Sequence, residues 1–400
     1  MSLLNIDFTA AAAAEQEQTV ALRRAIHADP ELGLHCDRTT AKLKAALAGL
    51  PLEIRDSTST SGFVAILRGG QPGRTVLLRG DMDALPIVEE TGLDFASTVP
   101  GNMHACGHDT HSAMLASAAR ILCAQAASLA GTVVFMFQPG EEGYHGARFM
   151  IADGLLADPR PDAAFALHIF PTMPGGLIAC RPGALLASTD ALRATIRGKG
   201  GHAAMPHDAI DPIPVACEVV SALQTRIARR TVFSDPVVLS ITAIEGGTAY
   251  NVIPDEVRMK GTLRTLSEGA RVAGRAAFEQ IVAQVAAAHD CVGTPEIDEG
   301  YPATTNDPRA AALVAATVAD LFGGESYAEM PNPIMGGEDF AYVLREIPGA
   351  MAFLGVAPPG EDPATRAPIH NGGMTIHEDW LQRGVALHCA LATRFLADGF

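Results

Sequence analysis

The sequence lacks an excess of basic residues. Lysine and arginine together number 29 against 45 aspartates and glutamates, so the formal net charge is −16 at pH 7. Proteins that bind nucleic acid need basic patches, because phosphates carry negative charge, and an anionic membrane surface makes the same demand. The charge balance therefore argues against both kinds of partner.

The sequence also lacks a long apolar run and a cysteine framework. No uncharged apolar stretch reaches the roughly 18 residues that a membrane-spanning helix requires. Residues 1–14 carry no basic segment ahead of their alanines, which argues against a secretory signal. The 7 cysteines are odd in number and scattered, which is typical of reduced thiols. We therefore expect a cytoplasmic protein in which Cys106 is free for chemistry.

Two common catalytic loops are missing as well. The chain has no Gly-x-Ser-x-Gly sequence, with which α/β-hydrolases expose a nucleophilic serine. A glycine-rich stretch at 198–207 lacks both the Gly-Lys-Ser/Thr ending of a phosphate-binding loop and the spacing of a dinucleotide-binding fold. A serine hydrolase is therefore disfavoured. Cys106 acting as a nucleophile with His108 is possible in principle, but the adjacent carboxylates of Glu141 and Glu142 make metal binding the better account.

What the chain does contain is an alternation of β-type and helical segments, with a hydrophobic content of 48% that is ample for a sizeable core. The β-type runs occupy residues 63–67, 75–78, 132–137, 163–167 and 351–354. The helical stretches occupy residues 19–28, 39–48 and 111–127. Such alternation predicts an α/β catalytic domain with a mostly parallel sheet and helices on both faces.

A different pattern follows in the middle of the chain. Strands are predicted near 190–197, 237–244, 256–265 and 295–298, with helices near 212–228 and 268–288. This β-α-β-β-α-β order is that of a ferredoxin-like α+β fold. We therefore predict a domain inserted at 187–299, which divides the catalytic domain into residues 1–186 and 300–400.

Polar residues follow several of the predicted strands. Asp83, Glu141, Glu142, His168 and His370 each come after the end of a β-type run. In a parallel sheet, ligands gather outside the carboxyl ends of the strands. We therefore expect these sequence-distant side chains to converge at one edge of the sheet.

Cys106 and His108 form a Cys-Gly-His motif in a polar loop before a predicted helix. By itself such a pair is more often a buried thiol and a hydrogen-bonded histidine than a metal site. Here Asp109 and His111 add further polar groups to the same loop, which favours metal binding. A thiolate is a good ligand for a soft or borderline divalent cation.

Glu141 and Glu142 lie in a Gln-Pro-Gly-Glu-Glu-Gly loop that directly follows an apolar run. Adjacent glutamates are usually a solvated surface pair, but the end of a buried strand favours a cleft. One glutamate can then bind metal while its neighbour handles a proton. Asp83 could form a turn or could orient a metal-binding histidine, and we assign no ligand role to Asp81 or His111.

Three residues of the predicted insertion could contact a substrate. His202 lies in the glycine-rich stretch, and Asn251 and Arg264 flank a predicted strand. Arginine is suited to bidentate recognition of a carboxylate. Each of these residues, taken alone, would more often be structural.

These motifs together resemble the aminoacylase and hippurate-hydrolase family of dinuclear metallopeptidases, above all its amidohydrolase branch, which includes the plant auxin-conjugate hydrolases. The resemblance extends over nearly the whole chain and is carried by residues 23–32, 80–86, 104–111, 138–143, 200–206, 251–254, 336–340 and 371–373. It implies a two-metal site whose ligands are Cys106, His108, Glu142, His168 and His370. It further implies that Glu141 is the catalytic base and that Asp83 orients a ligand.

The same resemblance implies that the inserted domain is a lid through which the chain forms a homodimer or homotetramer. His202 would then reach the site of another subunit and help to hold the oxyanion. Asn251 and Arg264 would bind the carboxylate of the amino-acid portion of the substrate.

The sequence therefore predicts a metal-dependent amidohydrolase that cleaves N-acyl-L-amino acids of the hippurate or N-acetyl type, with a metal-activated water and Glu141 as general base. The alternative is a dipeptidase or carboxypeptidase that uses the same dinuclear site. A non-catalytic metal-binding protein is disfavoured because Glu141 is present. We expect two divalent ions per subunit, and the mixed thiolate, imidazole and carboxylate ligands suit Zn, Mn, Co or Ni.

Overall fold

The computed structural model describes residues 6–400. The predicted catalytic domain begins at residue 1, so its first five positions, 1–5, lie outside the described residues. The helices are α1 Phe8–His27, α2 Asp37–Ala46, α3 His108–Cys123, α4 Gly146–Ala152, α5 Pro212–Arg230, α6 Glu268–Ala288, α7 Pro308–Phe322, α8 Ala341–Glu346 and α9 Leu381–Asp398. The strands are β1 Glu53–Asp56, β2 Phe63–Arg68, β3 Gln71–Asp81, β4 Ala130–Gln138, β5 Ala163–Phe170, β6 Ile178–Cys180, β7 Gly183–Leu186, β8 Asp190–Arg197, β9 Gly201–His202, β10 Val237–Glu245, β11 Val252–Ile253, β12 Glu256–Thr265, β13 Val292–Glu299, β14 Thr304–Asn306, β15 Tyr327–Glu329 and β16 Gly349–Gly355.

The chain forms two compact units. Unit 1 contains the chain up to Leu185 together with Thr305–Asn332 and Asp339–Phe400, and unit 2 contains Leu186–Thr304 and Pro333–Glu338. Unit 2 thus begins one residue before the insertion predicted at 187–299, extends beyond it to residue 304, and takes in a short distant segment. That segment joins unit 2 through long-range hydrogen bonds, since the amide of Ala187 donates to the carbonyls of Ile334 and Gly336. A local sequence pattern does not predict hydrogen bonds between residues so far apart in the chain.

Unit 1 is built on a sheet with the strand order β1-β2-β4-β3-β5-β16-β6-β15. Its central strands β4, β3, β5 and β16 run parallel to one another, whereas β2 is antiparallel to β4 and β6 is antiparallel to β16. Leu77 on β3 pairs with Val134 on β4 and with Ala164 on β5. The predicted α/β class with a mainly parallel sheet is confirmed.

Helices α1, α3 and α9 contact one another, and α3 and α9 contact β3. Helix α3 is buried along almost its whole length, including its polar first turn, and buried polar groups require hydrogen-bond or ionic partners. Helix α1 begins at Phe8 rather than at residue 19, because the side chain of Asp7 accepts hydrogen bonds from the amides of Thr9 and Ala10. Such a cap stabilises a helix start that apolar periodicity alone does not show. None of the helices in residues 6–400 is both long and apolar enough to cross a membrane.

Unit 2 has helices α5 and α6 packed on an antiparallel sheet with the strand order β10-β12-β8-β13. With the β-α-β-β-α-β chain order, this arrangement is the predicted ferredoxin-like α+β fold. Its core includes Leu192, Val219 and Phe278. A buried ion pair stabilises one end of the unit, where Asp190 accepts from Arg271 Nη2 at 2.8 Å.

Candidate metal centre

The Cys-Gly-His motif forms a tight turn that leads into α3. Gly107 has φ +87°, and a Cβ on it would lie 2.5 Å from Cγ1 of Ile169. Only glycine fits such a position, because in other residues a positive φ costs free energy and the Cβ would also clash with Ile169. The turn places Cys106 just before the helix and His108 at its first residue, and both side chains are buried.

Asp83 connects the loop after β3 with the loop after β4. Its Oδ1 accepts from the amide of Glu141 at 3.0 Å, and its Oδ2 accepts from the amide of Glu142 at 3.0 Å. Oδ1 also lies 3.4 Å from Nδ1 of His108. Because β3 and β4 are parallel, the two loops emerge at the same edge of the sheet, and one buried carboxylate can hold both the glutamate pair and the histidine ring.

His168 lies near the carboxyl end of β5. Its Nδ1 is 2.7 Å from the carbonyl oxygen of Ile169, and its Nε2 is 3.4 Å from Sγ of Cys106. A carbonyl oxygen only accepts hydrogen bonds, so Nδ1 carries the proton and the lone pair of Nε2 faces the thiol. The imidazole is therefore held in the tautomer that a metal ligand requires.

His370 reaches the same place from the long loop after β16. Its φ is +62°, and its amide donates to the carbonyl oxygen of Ala105 at 2.8 Å. Its Nε2 lies 3.2 Å from Oε1 of Glu142. The left-handed backbone conformation costs free energy, which the hydrogen bond to the residue beside Cys106 helps to offset.

The potential ligand atoms fall into overlapping groups. One group comprises Cys106, His108 and His168, and a second comprises Cys106, Glu142 and His370; within each group the atoms lie within 4.8 Å of one another. Cys106 belongs to both. The five side chains that the sequence analysis named as ligands thus lie together in unit 1, arranged as two groups that share one sulfur.

The surroundings of Cys106 disfavour a thiolate unless a cation is near. Burial raises the pKa of the Cys106 thiol well above its ordinary value, and the carboxylates of Glu142 and Glu141 raise it further. A buried cluster of negative groups without a counter-charge is costly. A divalent cation would relieve this repulsion and would favour the deprotonated sulfur.

His108 gives a test of whether the cluster fits a metal. Among residues 6–400 neither of its ring nitrogens has a hydrogen-bond partner of ordinary geometry. Nδ1 lies 3.4 Å from Oδ1 of Asp83, and Nε2 lies 3.5 Å from Oδ2 of Asp81. Burial lowers the pKa of His108, but the carboxylates of Asp81 and Asp83 outweigh it and raise the pKa to about 10. Buried polar atoms without partners are rare. Together with the sulfur, nitrogen and oxygen donors, they fit a borderline divalent cation.

Asp81 and His111, to which the sequence analysis gave no ligand role, also meet His108 in a potential ligand group. The atoms with which these two side chains could bind a metal, however, already form hydrogen bonds to other residues. His111 Nδ1 is 2.6 Å from Oδ1 of Asp81, and Oδ2 of Asp81 accepts from Arg79 Nη1 at 2.7 Å. The sequence pattern does not predict the contact between His111 and Asp81, because it depends on the packing of α3 against β3.

A buried ionic cluster ties the start of α3 to α1. Oδ2 of Asp109 is 2.7 Å from Nε of Arg23 and 2.7 Å from Nδ1 of His27. Despite burial, Arg23 and His27 hold the pKa of Asp109 far below its usual range. Asp109 follows His108 directly, so this cluster anchors the segment that carries the Cys-Gly-His motif.

The three predicted substrate-binding residues lie in unit 2. His202 is exposed on β9, which pairs with β11 directly after Asn251. The carbonyl oxygen of Asn251 accepts from the amide of Ala203 at 3.1 Å. Arg264 lies on β12, where burial lowers the pKa of its guanidinium and Nη1 donates to the carbonyl of Leu263 at 3.3 Å.

Comparison with known proteins identifies the family. Residues 77–394 match peptidase family M20/M25/M40. The chain belongs to this family. IAA-amino acid hydrolase ILR1-like 2 from Arabidopsis thaliana is 37% identical over 383 residues, which cover 95% of this chain and 85% of the relative. Thermostable carboxypeptidase 1 from Saccharolobus solfataricus is 35% identical over 384 residues, which cover 95% of this chain and 96% of the relative.

A solved structure of the M20 family is also similar. The Bacillus subtilis YXEP protein, a dinuclear metal binding peptidase, is 33% identical with a TM-score of 0.82, and the match covers 96% of this chain and 99% of that one. The resemblance read from the sequence motifs is thereby confirmed. As a member of this family, the chain is a metal-dependent hydrolase that acts on amide bonds.

Proposed function

We propose that this enzyme hydrolyses N-acyl-L-amino acids of the hippurate or N-acetyl type, with two divalent cations in each subunit. The observation that carries the proposal is the pair of donor groups that share Cys106, with Glu141 beside them. Such a pair matches the number of ions named for the Bacillus subtilis YXEP protein. Zn, Mn, Co and Ni all suit a set of thiolate, imidazole and carboxylate donors.

The donor groups divide the ligands between the two ions. Cys106, His108 and His168 would hold one ion, and Cys106, Glu142 and His370 would hold the other. When bound, divalent cations polarise a carbonyl and lower the pKa of water. Asp83 keeps the glutamate loop and the His108 ring in place through the contacts described above.

Glu141 is the proposed general base. Its side chain is buried, its Oε2 lies 3.9 Å from Nε2 of His108, and its amide is held by Asp83. Glu141 removes a proton from the attacking water, whose oxygen bonds to the acyl carbon. The carbon–nitrogen bond then breaks, and Glu141 passes the proton to the departing amine.

Unit 2 supplies the proposed contacts to the rest of the substrate, and we propose that it is a lid through which subunits associate. His202 Nδ1 accepts from the amide of Ala204 at 3.0 Å, so Nε2 carries the proton and is available to donate to an oxyanion, in the site of a partner subunit. Asn251 and Arg264 would bind the substrate carboxylate. His202→Ala should lower kcat and leave metal content unchanged; loss of metal would instead make His202 a ligand.

The names of the relatives support two related substrates. One relative is named an IAA-amino acid hydrolase, and another is named a thermostable carboxypeptidase. The N-acyl amino acid is our proposal, and the dipeptidase or carboxypeptidase activity is the alternative that the second relative favours.

The test is amide hydrolysis by purified protein across N-acetyl and N-benzoyl L-amino acids and free dipeptides. Each substrate is assayed after chelation and again after Zn, Mn or Co is added back. Metal-restored release of amino acid from the acyl substrates, with little from dipeptides, supports the proposal. Restored activity on dipeptides alone would replace it with the peptidase alternative.

A further inference from the structure

His111 makes a hydrogen bond through each of its two ring nitrogens, inside unit 1. Nδ1 is 2.6 Å from Oδ1 of Asp81, and Nε2 accepts from the amide of Ile169 at 2.9 Å. An amide N–H only donates, so Nε2 must present its lone pair and Nδ1 must carry the proton. His111 is therefore a neutral imidazole in a single tautomer, and it has no nitrogen left with which to bind a metal.

The residue that His111 holds is the one that orients His168. While the amide of Ile169 donates to His111, the carbonyl of Ile169 accepts from Nδ1 of His168 at 2.7 Å. Both polar groups of this residue are thus engaged at the end of β5. The rings of His111 and His168 also pack against each other, with centroids 4.6 Å apart.

Asp81 is itself held from several sides. Its Oδ2 accepts from Arg79 Nη1 at 2.7 Å, and the hydroxyl of Ser112 donates to its backbone carbonyl. All of these groups are buried. A carboxylate fixed in this way can hold one tautomer of its histidine partner, because rotation or protonation would break buried hydrogen bonds.

We infer that Asp81 and His111 are a positioning pair, which acts through the backbone of Ile169 to keep the lone pair of His168 Nε2 directed at Cys106. The inference rests on the proposed function in one respect, since it takes His168 as a metal ligand. Neither residue touches the reacting atoms. Outer contacts of this kind, when they are removed, typically weaken metal affinity about 10- to 100-fold.

The substitution Asp81→Asn tests the hydrogen bond between Asp81 and His111. The asparagine amide has only one acceptor oxygen, so its NH2 group must face either His111 Nδ1 or Arg79 Nη1. The first orientation would force the proton onto Nε2, where it faces the amide hydrogen of Ile169. The second would set two donors against each other beside His108, whose Nε2 lies 3.5 Å from Oδ2 of Asp81, so either orientation disturbs the pair. We expect Zn affinity, measured by competition with a chromophoric chelator, to fall about 10- to 100-fold. Asp162→Asn is the matched control, because Asp162 accepts from the amide of Thr75 at 2.8 Å, remote from Asp81 on the same strand β3, and it should keep wild-type affinity.

Two substitutions of His111 separate its two bonds. His111→Gln keeps an acceptor at the position of Nε2, whereas His111→Asn keeps a donor at the position of Nδ1 and leaves the amide of Ile169 without its acceptor. We expect the asparagine variant to lose more Zn affinity and to change the visible spectrum of the cobalt-loaded protein more. If both variants lost the same Zn affinity, or if His111→Gln lost more, the proposed action of His111 through the backbone of Ile169 would be overturned.

The metal-free wild-type protein provides a readout that needs neither a variant nor activity. The ¹⁵N shifts of labelled histidine rings report which nitrogen carries the proton. We expect His111 and His168 both to be protonated at Nδ1, and Asp81→Asn to disturb both. A wild-type His168 protonated at Nε2 would overturn the inference. Failure of the wild type to bind metal would instead overturn the proposed function, while the tautomer measurement would still decide the positioning role.

Discussion

At the scale of single residues, the site depends on side chains that serve more than one partner. Asp83 accepts from the amides of two neighbouring glutamates and approaches His108. Cys106 belongs to both donor groups. Because each shared residue fixes several others, substitutions here should separate into those that remove metal and those that remove only proton transfer.

Glu141→Gln should remove the base and keep the ligands. We expect kcat to fall by about 10²-fold or more, since general base catalysis contributes at least that much, while metal content stays at the wild-type level. The matched control is Glu142→Gln, which should lose metal because it changes a proposed ligand. Turnover close to wild type in Glu141→Gln would exclude the base role.

Cys106→Ser should weaken metal binding, because a serine hydroxyl is rarely ionised and is a poorer ligand than a thiolate. Metal content after dialysis against a chelator, measured by elemental analysis, is the readout. Cys123→Ser changes another buried cysteine, at the far end of α3, and should keep its metal. If Cys106→Ser also kept its metal, the sulfur would not be a ligand.

At the scale of secondary structure elements, the site is a meeting of loops that rigid elements hold in place. The loops after β3, β4 and β5 lie at the carboxyl ends of parallel strands, and the Cys-Gly-His turn leads into the buried helix α3. Helix α1 is joined to this turn by the pair Arg23 and Asp109, whose side chains are 2% and 0% exposed. Burial on this scale makes the pair sensitive to the loss of one partner.

Arg23→Met should therefore destabilise the fold strongly. Removing one partner of a buried ion pair costs about 3–5 kcal/mol, because the other charge stays buried. Since His27 still contacts Asp109, we expect a loss toward the lower end of that range. The free energy of unfolding from urea titration is the measurement. Arg68→Met is the control, since Arg68 and Glu53 are 54% and 41% exposed in their ion pair and such pairs contribute about 0–1 kcal/mol. Equal losses in the two variants would contradict the role of the buried pair.

At the scale of the whole molecule, the chain has two units, each with its own hydrophobic core. The proposed metal ligands all lie in unit 1. The proposed contacts to the substrate carboxylate and the oxyanion lie in unit 2. Metal binding should thus act on the stability of unit 1 and should leave the core of unit 2 unchanged.

Removal of metal should lower the thermal stability of the protein. A ligand present at 100 times its Kd stabilises the folded state by about 2.7 kcal/mol, so chelation should lower Tm by several degrees and added Zn should restore it. In Cys106→Ser the difference between the two conditions should shrink. A Tm that does not respond to chelation in the wild type would mean that the fold does not bind metal with useful affinity.

Much of the architecture could be predicted because it is local. The helix at Glu268–Ala288 and the strands at Asp190–Arg197 and Glu256–Thr265 begin and end where their sequence patterns do, since periodicity and capping are properties of neighbouring residues. Helix α1 begins at Phe8, earlier than the predicted residue 19, because the side-chain cap of Asp7 rather than an apolar pattern determines its start.

The sequence by itself determined the family, the fold class and which residue types could bind a cation, because motifs and hydrophobic periodicity depend on residues that are close in sequence. Only the tertiary structure decided that Cys106 joins two donor groups, that Asp83 holds both glutamates, and that Asp81 and His111 lead to His168. Those relations depend on which strands become neighbours and on their register. Distance between residues remote in sequence is set by packing, and no local pattern encodes it.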